Sequence, residues 1–328
     1  MKKRWLALML MLCLVMGGCS DKRQEKVSGT GYYFDTVVTL TLYGAPEGLM
    51  EQLWQECARY EQLLSKTIRG SDVDRINHAQ GQPITVNAET WQILKRAREI
   101  SIKTGGAFSV TIAPLSAQWD FTGGTKRVPD AESIHAALPL VNDSLIVLGE
   151  NNTVTLPEGM SIDLGGIAKG YIADRLAAMI RGRVTGATLN FGGNVYAVGS
   201  KADGSPFRIG IANPEDPGSA AAVVTVKDRS VVTSGTYQRC FTLDGQTYHH
   251  ILDPETGMPA ETGLASASVI AQSSMDADAL ATACIVLGME QAVALVEEMG
   301  LEALLITDEG DMIATPGLME KYPVQTAG

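Results

Sequence analysis

A chain of 328 residues with 45% hydrophobic and 19% charged side chains holds one large domain or two modest ones, and is too apolar to be disordered over most of its length. Its 37 acidic residues outnumber 26 basic ones, and the net charge of −11 repels phosphate backbones, so nucleic acid is excluded as a partner. An anionic dinucleotide remains compatible where local amides and a lysine offset its charge.

The chain begins with a basic Lys2-Lys3-Arg4 cluster and an uncharged apolar run, Trp5 to Met16. That run is shorter than the roughly 20 residues of a membrane span and suits the apolar region of a signal peptide. Met16-Gly17-Gly18-Cys19 resembles a bacterial lipobox, in which the cysteine is acylated and becomes the new N-terminus. The reading is a lipoprotein signal peptide over 1–18, lipidated Cys19 heading a polar tether over 19–29, and a globular region over 30–328. It places the protein in the cell envelope, exported and held to a membrane by lipid. A diacylated residue buries many methylenes at roughly 0.8 kcal/mol each, enough for a lasting anchor. Cleavage removes three basic residues and no acidic ones, leaving 23 basic against 37 acidic, or −14. Cys57, Cys240 and Cys284 are widely spaced, which supplies neither a disulfide framework nor a zinc motif.

Tyr33 to Tyr43 alternates and is rich in β-branched residues, which predicts a strand. Pro46 to Ser65 carries Leu49, Leu53, Trp54, Tyr60 and Leu64 at helical spacing, and Asn87 to Lys103 predicts a second helix capped by Asn87. Ser144 to Leu156 reads as a hairpin turning at Glu150-Asn151-Asn152. A short strand, Ser161 to Leu164, runs into Gly165-Gly166, followed by a helix from Tyr171 to Ile180. Ala187 to Gly199 reads as a strand interrupted at Gly192-Gly193, by a bulge or close packing. Short strands follow at Val223–Val226, Ser230–Ser234 and Arg239–Leu243. A helix capped by Ser273 or Ser274 runs to Leu287, another spans Gln291 to Met299, and a strand covers Leu304 to Thr307. Strands and helices mix without regular βαβ alternation, so the fold class is α+β.

Three constellations bear on chemistry. In Asp163-Leu164-Gly165-Gly166-Ile167-Ala168-Lys169-Gly170, paired glycines allow close backbone approach and a helix start offers N–H groups to a phosphate, with Lys169 adding a cation. A tight strand–helix joint would have the same appearance. Asp278 and Thr282, at i and i+4, share a helix face and supply hard oxygen ligands suited to Mg²⁺; on spacing alone a dipole-stabilising Asp and a back-bonding Thr account for the pair more simply. His249-His250 precedes a turn rich in Asp, Pro and Gly, placing a candidate general base at a strand end, where a structural histidine would also sit.

Seven segments in order carry a resemblance: Phe34-Asp35-Thr36, Gly105 to Ser109, Asp163 to Gly170, Asn190 to Gly193, Val232 to Gly235, His250 to Gly257 and Asp276 to Thr282. Together they resemble the ApbE family of FAD:protein FMN transferases. The resemblance implies a single ApbE-like, T-fold-like α+β domain with mixed and antiparallel sheets and packed helices. It also implies FAD as substrate and Mg²⁺ held by the Gly166 carbonyl, Asp278 and Thr282. FAD contacts would come from Phe34, Ala107, Phe108, Ser109, Asp163, Lys169 and Ile251, with His250 as catalytic base. Phe34 stands where the family usually has Met, and Ser109 where an Asp is common. The implied reaction moves FMN from FAD to a Thr or Ser hydroxyl and releases AMP. The implied acceptors are flavoprotein subunits of membrane redox complexes or related exported flavoproteins. A Mg²⁺-dependent FAD pyrophosphatase and a non-enzymatic flavin-binding lipoprotein are the alternatives.

Overall fold

The computed structural model describes residues 25–121 and 124–326; the leader, the lipobox and Cys19 lie outside them. Its framework is an eight-stranded sheet whose strands follow one another in chain order, every neighbouring pair antiparallel. These are β1 (Lys26–Tyr33), β2 (Thr36–Tyr43), β3 (Gly186–Phe191), β4 (Asn194–Gly199), β5 (Arg229–Gly235), β6 (Leu264–Ala271), β7 (Glu302–Thr307) and β8 (Met312–Ala314). The principal helices are α1 (Leu49–Leu64), α2 (Ala88–Lys103), α3 (Ala168–Ile180), α4 (Ser274–Leu287) and α5 (Met289–Glu298).

Both faces of the sheet are covered. On one, α1, α3 and α4 pack Leu53, Tyr60, Ile172, Leu176 and Leu280 against β-strand residues such as Leu40 and Leu189. On the other, a three-stranded antiparallel sheet of Phe207–Ala212, Ala220–Val226 and Val324–Thr326 seals a second cluster containing Phe207, Ile209, Val224, Ile270 and Ile306. Coverage from both sides explains β6, in which all eight residues are buried. Its sequence, Leu-Ala-Ser-Ala-Ser-Val-Ile-Ala, lacks the alternation of a half-exposed strand, so no strand is predicted there.

Several sequence expectations change. The single strand from Tyr33 to Tyr43 is the tip of a hairpin: Phe34 and Asp35 both take the left-handed conformation, φ 56° and 55°, and the chain reverses between β1 and β2. β1 starts at Lys26, so the last four residues assigned to the tether are strand, paired with β2. Gly192-Gly193 is likewise a reversal between β3 and β4, at φ 63° and 104°, which side chains rarely adopt. Ser161 to Leu164 forms no strand. It is an extended segment gripped by the Asn77 amide, which donates to Ile162 O at 3.0 Å and accepts from Ile162 N at 2.7 Å. α3 begins at Ala168, putting Lys169 in its first turn, before the predicted start at Tyr171.

Asn87 precedes α2 as expected, but its side chain makes no cap bond. Its backbone N–H and amide instead donate to buried Asp72, which also accepts from Thr90 Oγ1 at 2.7 Å. Ser273 caps α4 directly, accepting from Asp276 N at 3.2 Å. The hairpin around Glu150–Asn152 forms, with short strands Val147–Leu148 and Thr153–Thr155. Cys57, Cys240 and Cys284 are free; burial pushes the Cys57 and Cys284 thiols up to about 12, which keeps them inert.

α3 and α4 approach at Gly170, where an added Cβ would stand 2.2 Å from Ser274 O and 2.7 Å from Met275 Cα. Both neighbours are backbone, so only separating the helices relieves the overlap. Gly170→Ala should therefore lose about 1–3 kcal/mol of stability in denaturant unfolding; a midpoint equal to wild type would show that the contact yields.

Candidate active site

The site gathers where the Asp163–Gly166 segment enters α3 and meets α4. Asp163 is positioned by its own backbone, whose N–H donates to Val110 O at 2.8 Å, and its Oδ1 accepts from Gly165 N at 2.8 Å. Its Oδ2 takes Lys66 Nζ at 2.6 Å. Burial alone would raise this carboxyl's pKa, but Lys66, the Gly165 amide and Lys169 together hold it below the usual carboxylate value. Lys66 falls outside every motif read from the sequence. It reaches the site from the loop after α1, a placement no local pattern encodes.

Asp278 is 2% exposed, one turn into α4. Its Oδ2 accepts from Gly170 N at 3.0 Å and its Oδ1 faces Lys169 Nζ at 3.5 Å. Lys169 Nζ also donates to Gly165 O at 2.6 Å. A Cβ on Gly166 would lie 3.8 Å from Thr282 Oγ1 and 3.2 Å from the Phe108 ring edge, so these three residues adjoin. Thr282 Oγ1 is 3.3 Å from Asp278 O, the back-bond expected of a helical threonine, and 3.3 Å from Ser234 Oγ of β5. Asp163, Gly166, Lys169, Asp278 and Thr282 thus lie together, with Ser234 beside Thr282.

The donor set is one carboxylate, two hydroxyls and nearby backbone carbonyls. Among the described residues no group of three His, Cys, Asp or Glu could form a protein-only metal cage. Hard oxygens with a single charge fit Mg²⁺, which keeps several waters and shares its shell with substrate phosphates. Neighbouring Asp276 acts elsewhere, its carboxylate forming a two-pronged pair with Arg96, at 2.7 and 2.8 Å, that binds α4 to α2. Asp174 on α3 accepts from Ser274 N at 2.7 Å, Met275 N at 3.0 Å and Ser273 Oγ at 3.2 Å, securing the start of α4 from outside its own sequence.

The Ala107–Ser109 stretch borders a cavity of about 220 Å³ lined by Gly105, Gly106, Ser109, Asn142, Asp143 and Glu255. Gly106 sits at φ 92°, with no neighbour near its missing Cβ, so the glycine serves backbone conformation there. Ser109 carries no charge itself, and its Oγ donates to Asp143 Oδ1 at 2.6 Å. Buried Asp143 also accepts from Val110 N, Thr111 N and Thr111 Oγ1. The carboxylate at this spot therefore comes from a distant segment, and sequence reading missed it. Glu255 in the wall brings the turn after His250 to the same cavity.

Phe34, in its left-handed turn, donates its N–H to Glu61 Oε1 at 2.8 Å, and its ring lies 6.3 Å from Phe191. Ile251 is 5% exposed and packs in the main core. The turn after it is rigid: Asp253 accepts from Glu255 N at 2.9 Å and Thr256 Oγ1 at 3.1 Å, and Trp119 Nε1 donates to Gly257 O at 3.1 Å.

His249 and His250 diverge. His249 ends the Gln246–His249 strand, and its Nε2 donates to Ala260 O at 3.1 Å, a structural role. His250 follows the strand, with its N–H donating to Arg239 O at 3.0 Å, and its buried Nδ1 has no hydrogen-bond partner among the described residues. Burial foremost, then Arg239, His249 and Lys169, push the His250 pKa down to about 3. The ring is therefore neutral at physiological pH, the protonation state a general base requires. The surrounding cations also make it a weak base until a polyanion offsets them.

The fold is of the ApbE kind, a single domain of mixed helices and antiparallel sheets. The ApbE family model matches residues 34–305. An FAD:protein FMN transferase of Klebsiella pneumoniae is 38% identical over 282 residues, 84% of this chain and 87% of the relative. One from Treponema pallidum is 34% identical over 98% of this chain and 95% of its own. The ApbE protein of Thermotoga maritima superposes with a TM-score of 0.84 at 31% identity, covering 90% of this chain and 99% of that one. The chain belongs to the ApbE family.

The His250 environment sets a pH signature for the ligand-free protein. Its folded pKa is depressed, so its ring should stay neutral as pH falls through about 6.5, the ordinary histidine value. Nitrogen NMR of labelled histidine should show His250 neutral at about pH 5; a midpoint near 6.5 would contradict the electrostatic reading.

Proposed function

We propose that this chain is a Mg²⁺-dependent FAD:protein FMN transferase, joining FMN from FAD to a Thr or Ser hydroxyl of an acceptor flavoprotein and releasing AMP. The observation that carries this reading is the convergence of Asp278, Thr282 and the Gly165-Gly166 turn beside Lys169, opposite a neutral, unpartnered His250. The curated relatives bearing the transferase name support the same reading.

Mg²⁺, held by the Gly166 carbonyl, Asp278 and Thr282, would offset negative charge on the diphosphate and on departing AMP. Lys169 adds a positive charge on the same side. Asp163, kept ionised by Lys66, orients the glycine turn through the Gly165 N–H. Phe34, the Ala107–Ser109 stretch and the backbone by Ile251 would line the flavin nucleotide. His250 would accept the acceptor hydroxyl's proton, since a Thr hydroxyl is barely ionised at neutral pH. Negative charge on a bound diphosphate would offset Arg239 and Lys169 and restore basicity to the ring. The acceptors fitting this reading are exported or membrane-facing flavoproteins, with the enzyme anchored on their side of the membrane through acylated Cys19.

Water as acceptor would give FAD hydrolysis at the same metal site, so assays are run with and without an acceptor domain. AMP formed only with the acceptor supports transfer; AMP formed equally without it points to the hydrolase, and none at all to a carrier.

His250→Ala should keep FAD affinity by fluorescence titration yet lose about 10²–10⁴ in covalent flavin transfer read by in-gel fluorescence, the usual range for a general base. Unchanged transfer would remove the base assignment, and lost FAD affinity would recast His250 as a binding residue. Asp278→Ala should abolish Mg²⁺-supported turnover, whereas Thr282→Val, losing only a neutral ligand, should raise the Mg²⁺ requirement less. Full activity in Asp278→Ala would return the pair to a purely helical role.

A further inference from the structure

The sheet register separates two ends of the molecule. Lys26 pairs with Tyr43, Tyr43 with Gly186, and Gly186 with Gly199; Arg229 pairs with Ala197, two residues before Gly199, and Ile270 with Glu302. The strand ends at Lys26, Tyr43, Gly186, Gly199, Arg229 and Glu302 therefore lie along one edge. Phe34, Gly192-Gly193 and Ser234, which adjoins Thr282, lie at the opposite edge. Arg229 and Ser234 are five residues apart on one strand, about 17 Å at 3.3–3.4 Å per residue.

At the first edge, a cavity of about 530 Å³ is lined by Lys227, Arg229 and Lys321 together with Thr225, Tyr322 and other neutral residues, and by no acid. Lys227 is exposed and has no acidic partner among the described residues. Arg229 Nε donates to Tyr322 Oη at 3.3 Å and its Nη1 to Asp228 O at 2.9 Å, and Nη2 has no hydrogen-bond partner among the described residues. Of the acids close by, Asp228 accepts Gly199 N at 2.8 Å and buried Glu302 holds Lys321 at 2.5 Å and Thr315 Oγ1, whereas Glu320 beside Lys321 and Glu25 beside Lys26 are exposed at the rim. In a chain of net charge −11, an acid-free cavity with three cations is a local inversion of sign.

We propose that this edge is a docking face for an anionic lipid surface. The inference rests on the anchor in the proposed function, because Cys19 lies seven residues before Lys26, which is at this same edge. Seven residues span at most about 25 Å, so an acylated Cys19 holds this edge within reach of the headgroups. Lys26, Lys227 and Arg229 then meet phosphate-rich headgroups, with Lys321 neutralising Glu302 behind them. The acidic bulk of the protein is turned away from the bilayer, and the Phe34–Ser234 end faces outward, toward acceptors.

The test uses the full-length lipid-modified protein in vesicles of phosphatidylcholine alone or mixed with phosphatidylglycerol. Amide exchange over 226–230 and 321–323 should slow in the anionic vesicles only, and about 0.5 M salt should reverse it. Each cation contributes about fivefold near such a surface, so Lys227→Gln with Arg229→Gln should lower the protection about 25-fold, leaving FAD turnover unchanged. Lys321 is kept, to spare Glu302. Equal exchange in both vesicles overturns the proposal, as does equal protection by inorganic phosphate without vesicles. Intact-mass measurement of acylated Cys19 and flotation with neutral vesicles report the anchor separately. If the anchor fails, flotation with anionic vesicles alone still decides the docking face.

Discussion

The molecule is organised around the contact between the first turn of α3 and the flank of α4. The buried Asp278 carboxylate accepts the Gly170 N–H and faces Lys169, and Gly170 lets the two helices meet backbone to backbone. A carboxyl group this deep is tolerated because an amide and an ammonium lie within reach of its oxygens. Asp174 on α3 makes the reciprocal attachment, receiving the first two N–H groups of α4. Burial, the largest influence on Asp174, raises its pKa to about 6 despite those amides, the energetic cost of placing a cap beneath the sheet. With the helices locked, Gly166 comes beside Thr282 and the oxygen cluster is preformed.

Charge follows the same geometry. Lys66 and Lys169 flank the glycine turn, each facing a carboxylate, and Arg239 and Lys169 lie close enough to His250 to disfavour its protonation. That pattern suits a diphosphate, whose arrival would relieve repulsion among the cations and return basicity to His250. At the opposite edge of the sheet a positive region forms around Lys227 and Arg229. One antiparallel meander holds the two apart, because each strand runs from one edge to the other.

Much of this was legible in the sequence. The helices at Leu49–Leu64, Ala88–Lys103 and Ser274–Leu287 follow apolar spacing and a capping serine. The i, i+4 relation of Asp278 to Thr282 needs only helical geometry. Strands covered on both faces were harder, since β6 alternates small residues and shows no amphipathic period. Of the two paired turns, Phe34-Asp35 reads from sequence as continuous strand and Gly192-Gly193 as a bulge or close packing within one, and both are chain reversals. Strand-forming residues continue beyond each turn, at Val37-Val38 and Val195-Tyr196, and a positive φ is not visible in residue type when the residues are Phe and Asp.

By itself the sequence determined the α+β class and singled out candidate segments for chemistry, with Asp163, Lys169, His250, Asp278 and Thr282 as their polar members. Only the tertiary structure decided which distant groups complete them: Lys66 on Asp163, Asp143 behind Ser109, Ser234 beside Thr282, and Arg239 by His250. The reason is physical. Local sequence governs dihedral preference and periodic burial over a few residues, whereas these partners are separated by 11 to 97 residues and meet only when the tertiary fold is set. The protonation of His250 belongs to that second category, because it depends on the burial and the cations that the fold assembles around it.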